Sequence, residues 1–261
     1  MKKKCAGNVI SMQEPAPDIF DMWVETELAK EAGAGQFVGV FPMGESTLLP
    51  RPISICEVDK EKKAIRLVFR VAGKGTGEFS HYKPGRRVML LGVLGNGYPL
   101  SPATGKKILL LGGGIGIPPI LQLAKQLREN EINAEITIAV GYRNSDLFLK
   151  EDLEQYGKVL VATEDGSIGT KGNVLDAVRE NSVEAQIIYA CGPLMMLKAI
   201  KQYAEEKEIL AYISLEERMA CGVGACLGCV CKTTKKDAHS HVNNARICTD
   251  GPVFEAKEVD I

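Results

Sequence analysis

The feature that most constrains this chain lies near its end. Cys221, Cys226 and Cys229 fall in the run Cys-Gly-Val-Gly-Ala-Cys-Leu-Gly-Cys, and a lone Cys248 follows. The spacing is C-x4-C-x2-C with a distant fourth cysteine, which suits a [2Fe–2S] cluster held on four thiolates. Four sulfurs must converge on two irons from different sides. A loop carrying Gly222, Gly224 and Gly228 can wrap such a cluster and turn backbone N–H groups toward its sulfides. A structural zinc site is the alternative, but zinc motifs usually present two short C-x2-C pairs. Here Cys226/Cys229 is the single such pair among the candidates, and Cys231 is a spare. The spacing favours iron–sulfur over zinc.

A chain of 261 residues has room for two domains and a small appended module. Its 45% apolar and 25% charged content is that of a soluble globular protein, and a net charge of −1 argues against nucleic-acid partners. Membrane insertion is not expected. The longest apolar tract, 108–124, is broken by Gly112-Gly113-Gly114 and by Pro118-Pro119. No signal-type apolar core follows the basic Met1-Lys-Lys-Lys-Cys5. Eight cysteines without a secretion signal point to a reducing, cytoplasmic setting. Cys5 and Cys231 read as incidental, and Cys56 as a small core residue.

Residues 5–100 read as short strands with Gly/Pro punctuation: 19–24, 36–41, 51–56, 64–71 and 87–91, with a helical turn at 76–81. That texture suggests an antiparallel barrel. It changes at Pro99-Leu-Ser-Pro102, and strands then alternate with helices. Strands are expected at 107–111, 135–140, 158–162, 186–190 and 211–215, and helices at 117–129, 147–156, 173–180 and 194–206. Alternation of this kind implies a parallel sheet with helices on both faces.

Two strand ends carry a ligand signal. Gly112, Gly113, Gly114 and Gly116 form a turn between strand and helix, where free N–H groups and the helix dipole favour a phosphate. The turn is not the G-x-G-x-x-G fingerprint. A ligand-free tight turn is the alternative, but ligands bind at the carboxyl ends of such parallel strands. Cys191-Gly192-Pro193 ends another strand at the same edge. Gly192 leaves room there, Pro193 opens a helix, and Cys191 is either at the site or a buried small thiol.

Arg51-Pro-Ile-Ser54, then Gly112-Gly-Gly-Ile-Gly-Ile-Pro-Pro119, then Cys191-Gly-Pro193 resembles the ferredoxin–NADP reductase superfamily. With the trailing cysteine module, the whole chain is similar to the dihydroorotate dehydrogenase B electron-transfer subunits. Ala34-Gly-Gln-Phe-Val38 and the loop 164–172 belong to the same likeness. The resemblance implies an α+β multidomain fold: a FAD-binding antiparallel β-barrel over 1–100, a doubly wound parallel α/β NAD-binding domain over 101–215, and a [2Fe–2S] module over 216–261. It implies FAD contacts from Arg51, Pro52, Ile53, Ser54, Val68, Phe69, Arg70, Gly75 and Thr76. The Gly112–Gly116 turn would take the dinucleotide, with Cys191, Gly192 and Pro193 near the nicotinamide.

The resemblance further implies a relay: hydride exchange between NAD and FAD, then single electrons to the cluster on Cys221, Cys226, Cys229 and Cys248. No catalytic acid or base is expected. The implied partner is an FMN-containing catalytic subunit that oxidises dihydroorotate to orotate in pyrimidine biosynthesis, in a heterotetramer of two plus two. The small subunit of NADH-dependent ferredoxin:NADP oxidoreductases is the competing resemblance, but in that family an aspartate stands where Cys221 does. A redox sensor without turnover is a further alternative. His239 and His241 read as solvated loop residues, since four cysteines already suffice. Arg143 is a weak candidate for a 2′-phosphate contact, and the family points to NAD.

Overall fold

The computed structural model describes residues 3–44, 47–130, 134–236 and 241–261. Six strands form the first unit: β1 (Lys3–Ala16), β2 (Ile19–Glu25), β3 (Phe37–Phe41), β4 (Arg51–Asp59), β5 (Ala64–Arg70) and β6 (Arg87–Leu94). A short helix α1 (Lys74–Phe79) lies between the last two. They close in the order β1-β2-β5-β4-β3-β6, every pairing antiparallel. Strand periodicity builds the interior. Ile65, Leu67 and Phe69 of β5 point inward with Met22, Val24, Ile55 and Leu90. Val68 and Cys56 point outward, into a core shared with the second unit.

That second unit contains β7 (Lys107–Gly113), α2 (Ile117–Glu129), β8 (Glu135–Tyr142), α3 (Lys150–Glu154) and β9 (Lys158–Thr163). It continues through β10 (Thr170–Lys171), α4 (Val174–Glu180), β11 (Ile187–Cys191), α5 (Leu194–Glu206) and β12 (Leu210–Ser214). β7 shows why the sequence folds this way. Ile108 and Leu110 pack under α2 on one face, and Leu109 and Leu111 pack under α4 and α5 on the other. A strand covered on both faces reads as a continuous apolar run, as β7 does.

The remaining strands are β13 (Val230–Lys232), β14 (Asn244–Arg246) and β15 (Val253–Glu255). β13 and β14 form an antiparallel pair. β15 joins the large sheet, whose order is β10-β9-β8-β7-β11-β12-β15. It runs antiparallel to β12, so an otherwise parallel sheet ends in a strand supplied by the C-terminal segment.

Three expectations need correction. The helix expected at 147–156 begins only at Lys150. Leu149 takes a left-handed backbone with φ 63, and the Phe148 carbonyl accepts a 2.7 Å hydrogen bond from the Tyr142 hydroxyl, so the first turn cannot close. The parallel sheet carries the antiparallel β15. Residues 3–16, outside the strands expected from sequence, form a 14-residue strand. Register shifts between Val9 and Ser11 and between Gln13 and Ala16 break the alternation by which a strand is recognised.

Candidate functional site

The glycine turn and the Cys191 motif are neighbours by register. Gly112 lies opposite Cys191, and Cys191 lies opposite Ser214 on β12. The approach is tight. A Cβ on Gly116 would stand 2.6 Å from the Gly192 nitrogen and nearer still to the Cys191 carbonyl. One on Gly113 would stand 2.5 Å from Met196 Sδ. Gly114 has φ 51 and open space about its Cα, so the turn is solid underneath and accessible at its crest. Burial pushes the Cys191 thiol up to about 12, which keeps it neutral. Pro193 is exposed at the start of α5.

On the barrel, Arg51 and Gly75 meet. A Cβ on Gly75 would be 2.5 Å from Arg51 Nε, so the guanidinium lies across the glycine. Arg51 Nη1 donates to the Leu49 carbonyl at 2.6 Å, which fixes the fork. Pro52 and Ser54 are half-buried beside it, and Arg70 is exposed. Ile53, Val68 and Phe69 are buried in packing, so only their backbone is available to a ligand. The Thr76 hydroxyl accepts from the Ala72 and Gly73 N–H groups at 2.9 and 3.2 Å and is committed to its own turn.

The cysteine module is assembled by the β13–β14 hairpin. Cys229 immediately precedes β13 and Cys248 follows β14 by two residues. The Ile247 N–H donates to the Cys229 carbonyl at 2.9 Å, which brings these two cysteines to the same end. Both are buried, Cys221 is half-buried and Cys226 is exposed. The loop already directs N–H groups at sulfur. Val223 and Cys226 N–H groups each lie 3.4 Å from Cys221 Sγ, and the Gly228 N–H lies 3.4 Å from Cys226 Sγ. Burial works against ionisation of Cys221, but these donors outweigh it and hold the thiol down at about 6. Burial, then the adjacent Cys229, pushes Cys248 up to about 11. N–H donors aimed at sulfur stabilise thiolates that would hold iron, so the residues fit a cluster. Among the described residues, no three His, Cys, Asp or Glu side chains close around a single metal ion.

Sequence reading missed the residues that join the module to the barrel. Asn96 Nδ2 donates to the Thr249 and Asp250 carbonyls, each at 3.0 Å, and its N–H donates to the Gly251 carbonyl at 2.6 Å. The loop carrying Cys248 is thereby tied to the end of β6. Gly95-Asn96-Gly97 is a visible turn signal, but its partners lie about 150 residues away. Asp250 accepts from the Arg246 N–H at 2.7 Å and from its guanidinium, which braces the same loop. Cys231 lies within β13, paired with Ala245. His241 and Arg143 are exposed, and His239 lies outside the described residues.

Residues 216–260 match the family model for the iron–sulfur cluster binding domain of dihydroorotate dehydrogenase B. Residues 110–202 match an oxidoreductase NAD-binding domain. The dihydroorotate dehydrogenase B (NAD(+)) electron transfer subunit of Shouchella clausii is 42% identical over 262 residues, 99% of this chain and 98% of the relative. The chain belongs to the dihydroorotate dehydrogenase B electron transfer subunit family. The member from a Geobacillus species is 40% identical over 263 residues, 99% of both chains.

The match of residues 216–260 to an iron–sulfur cluster binding domain makes the cysteine module an iron–sulfur site rather than a zinc site. Among solved structures, a NADH-dependent reduced ferredoxin-NADP oxidoreductase chain superposes with a TM-score of 0.86 at 31% identity, covering 97% of this chain and 89% of that one. No helix among the described residues is long and apolar enough to cross a membrane.

Proposed function

We propose that this chain carries electrons between NAD and a separate subunit that oxidises dihydroorotate. FAD would lie against Arg51–Ser54, Arg70 and Gly75, with the dinucleotide on Gly112–Gly116 and a [2Fe–2S] cluster on Cys221, Cys226, Cys229 and Cys248. Bound there, the flavin would supply two-electron exchange with NAD, and the cluster one-electron exchange with a partner. The chain's own residues hold and aim these groups. Arg51 offers a fixed fork of donors to phosphate, and the neutral Cys191 thiol adds bulk without charge beside the glycine turn.

One observation carries the reading. Ser54 of β4 is paired with Phe37 of β3, and Phe37 is paired with Leu94 of β6. Two strand spacings of about 4.8 Å therefore separate the flavin candidate from Leu94. A Cβ on Gly222 of the cysteine loop would stand 3.2 Å from Leu94 Cδ1. The candidate flavin strand and the cysteine loop are thus separated along the barrel wall by β3 and β6 alone, a span compatible with electron exchange. On the outer side of the loop, Val223 and Leu227 are exposed, the latter at 62%. An apolar rim at the ligand loop suits a docked protein, here an FMN-containing catalytic subunit in a two-plus-two heterotetramer.

The test is co-purification with that catalytic subunit, followed by dihydroorotate oxidation with NAD as acceptor. Orotate-linked NADH formation supports the reading. The 31% identity to a ferredoxin-NADP oxidoreductase chain favours a second reading. A complex that moves electrons only between NAD(P)H and ferredoxin would establish that one instead.

A further inference from the structure

One helix face ties the two nucleotide-handling units together. Gln122, Lys125 and Gln126 stand at i, i+3 and i+4 on α2 and so share a side. Each reaches the barrel. The Val58 N–H donates to Gln122 Oε1 at 2.8 Å, and the Ala34 N–H donates to Gln126 Oε1 at 2.8 Å. Between them, Lys125 Nζ donates to Glu57 Oε1 at 2.8 Å and to the Val58 carbonyl at 3.1 Å. Gln122 is 3% exposed in a helix whose other buried positions are apolar or proline. Burying a polar amide is costly unless it is bonded, and its partner lies in the other unit.

The same helix begins at Ile117, directly after the Gly112–Gly116 turn. Gln122 lies six positions beyond Gly116, about 9 Å of helix. Units joined within a chain ordinarily move relative to one another. Hydride exchange tolerates little of this, since the reacting atoms must approach to about 3–3.5 Å. We propose that Gln122, Lys125 and Gln126 are positioning residues, which lock α2 and the dinucleotide turn it carries to the flavin barrel. The inference rests on the proposed function for its kinetic consequence and on the hydrogen bonds alone for its structural one.

The test uses the full-length flavin-loaded protein and the variants Gln122→Met, Gln122→Glu, Gln126→Met and Gln126→Glu. Methionine keeps the length and loses the acceptor; glutamate keeps the acceptor. Two readouts are taken: amide hydrogen exchange over 31–38, 53–60 and 110–118, and anaerobic flavin reduction by NADH followed by stopped flow. Each methionine variant is expected to exchange faster at its own barrel partner and at 110–118. The limiting reduction rate should fall at least about 10-fold with the NADH Kd held within about twofold, and glutamate should restore both. The inference is overturned by an unchanged limiting rate, by a change in Kd alone, or by glutamate variants no better than methionine. Should Gln122→Met fail to fold, Gln126→Met, at the half-buried end of the face, decides. If the unaltered protein's flavin is not reduced by NADH, the proposed function falls, and exchange at 110–118 still decides the locking.

Discussion

At the residue scale, the site depends on atoms that are absent. Gly116 is the sharpest case, because the atoms a Cβ would strike belong to the Cys191–Gly192 backbone, which no rotamer change can move. Gly116→Ala should therefore cost about 1–3 kcal/mol, typical of overpacking, and open the gap between the two strand ends. Urea unfolding and NADH titration would show both losses together. Among the cysteines, position separates ligand from bystander. Cys226→Ser should abolish the visible iron–sulfur absorption and partner-dependent turnover while NADH still bleaches the flavin. Cys231→Ser, within a β-strand, should leave that absorption unchanged. The proposed ligands Cys221, Cys226 and Cys229 stand out in the sequence because their spacing is local, whereas Cys248 is brought beside them only by the β13–β14 pairing. The commitment of the Thr76 hydroxyl to Ala72 and Gly73 was not legible, since a hydroxyl's partner is set by a backbone turn no motif encodes.

At the element scale, the β13–β14 hairpin and the end of β6 do together what neither does alone. The hairpin sets Cys229 beside Cys248, and Asn96 then fixes the second of these to the barrel. Removing two side-chain hydrogen bonds by Asn96→Ala should destabilise the Cys248 loop by roughly 1–2 kcal/mol. The expected sign is faster loss of the cluster's absorption in the presence of a chelator, with the flavin spectrum unaltered. The elements themselves were legible in proportion to how self-contained they are. α2 and α5 have their expected bounds, 117–129 and 194–206, because an apolar face and proline near the start specify a helix locally. β15 was invisible because three residues, Val253, Phe254 and Glu255, become a strand only through β12. The shortened α3 has the same origin, a contact between Tyr142 and Phe148 that periodicity does not register.

At the scale of the whole molecule, barrel and sheet also meet at a half-buried arginine. Arg66, its side chain 13% exposed, grips Asp21 with Nε and Nη2 at 2.7–3.1 Å. Its Nη1 lies 3.2 Å from both Glu57 in the barrel and Asp152 of α3 across the interface. Burial opposes its charge, but Asp21 and the other carboxylates outweigh burial and raise its pKa, so the guanidinium stays charged at any pH at which the protein folds. A planar fork can satisfy three carboxylates at once, whereas a lysine is a single point charge. Arg66→Met should strip Asp21 and Asp152 of their shared cation, leaving Glu57 with Lys125 alone, and cost about 3–5 kcal/mol. Arg66→Lys should fall between it and the unaltered protein. Lys107→Met, which breaks a fully exposed pair with Glu184, should leave the unfolding curve where it is. Calorimetry separates this interface from an ordinary core loss. If Arg66 joins two units that could each hold their own fold, Arg66→Met should split one unfolding transition into two. If the barrel and sheet fold only together, the variant should show one transition at lower temperature.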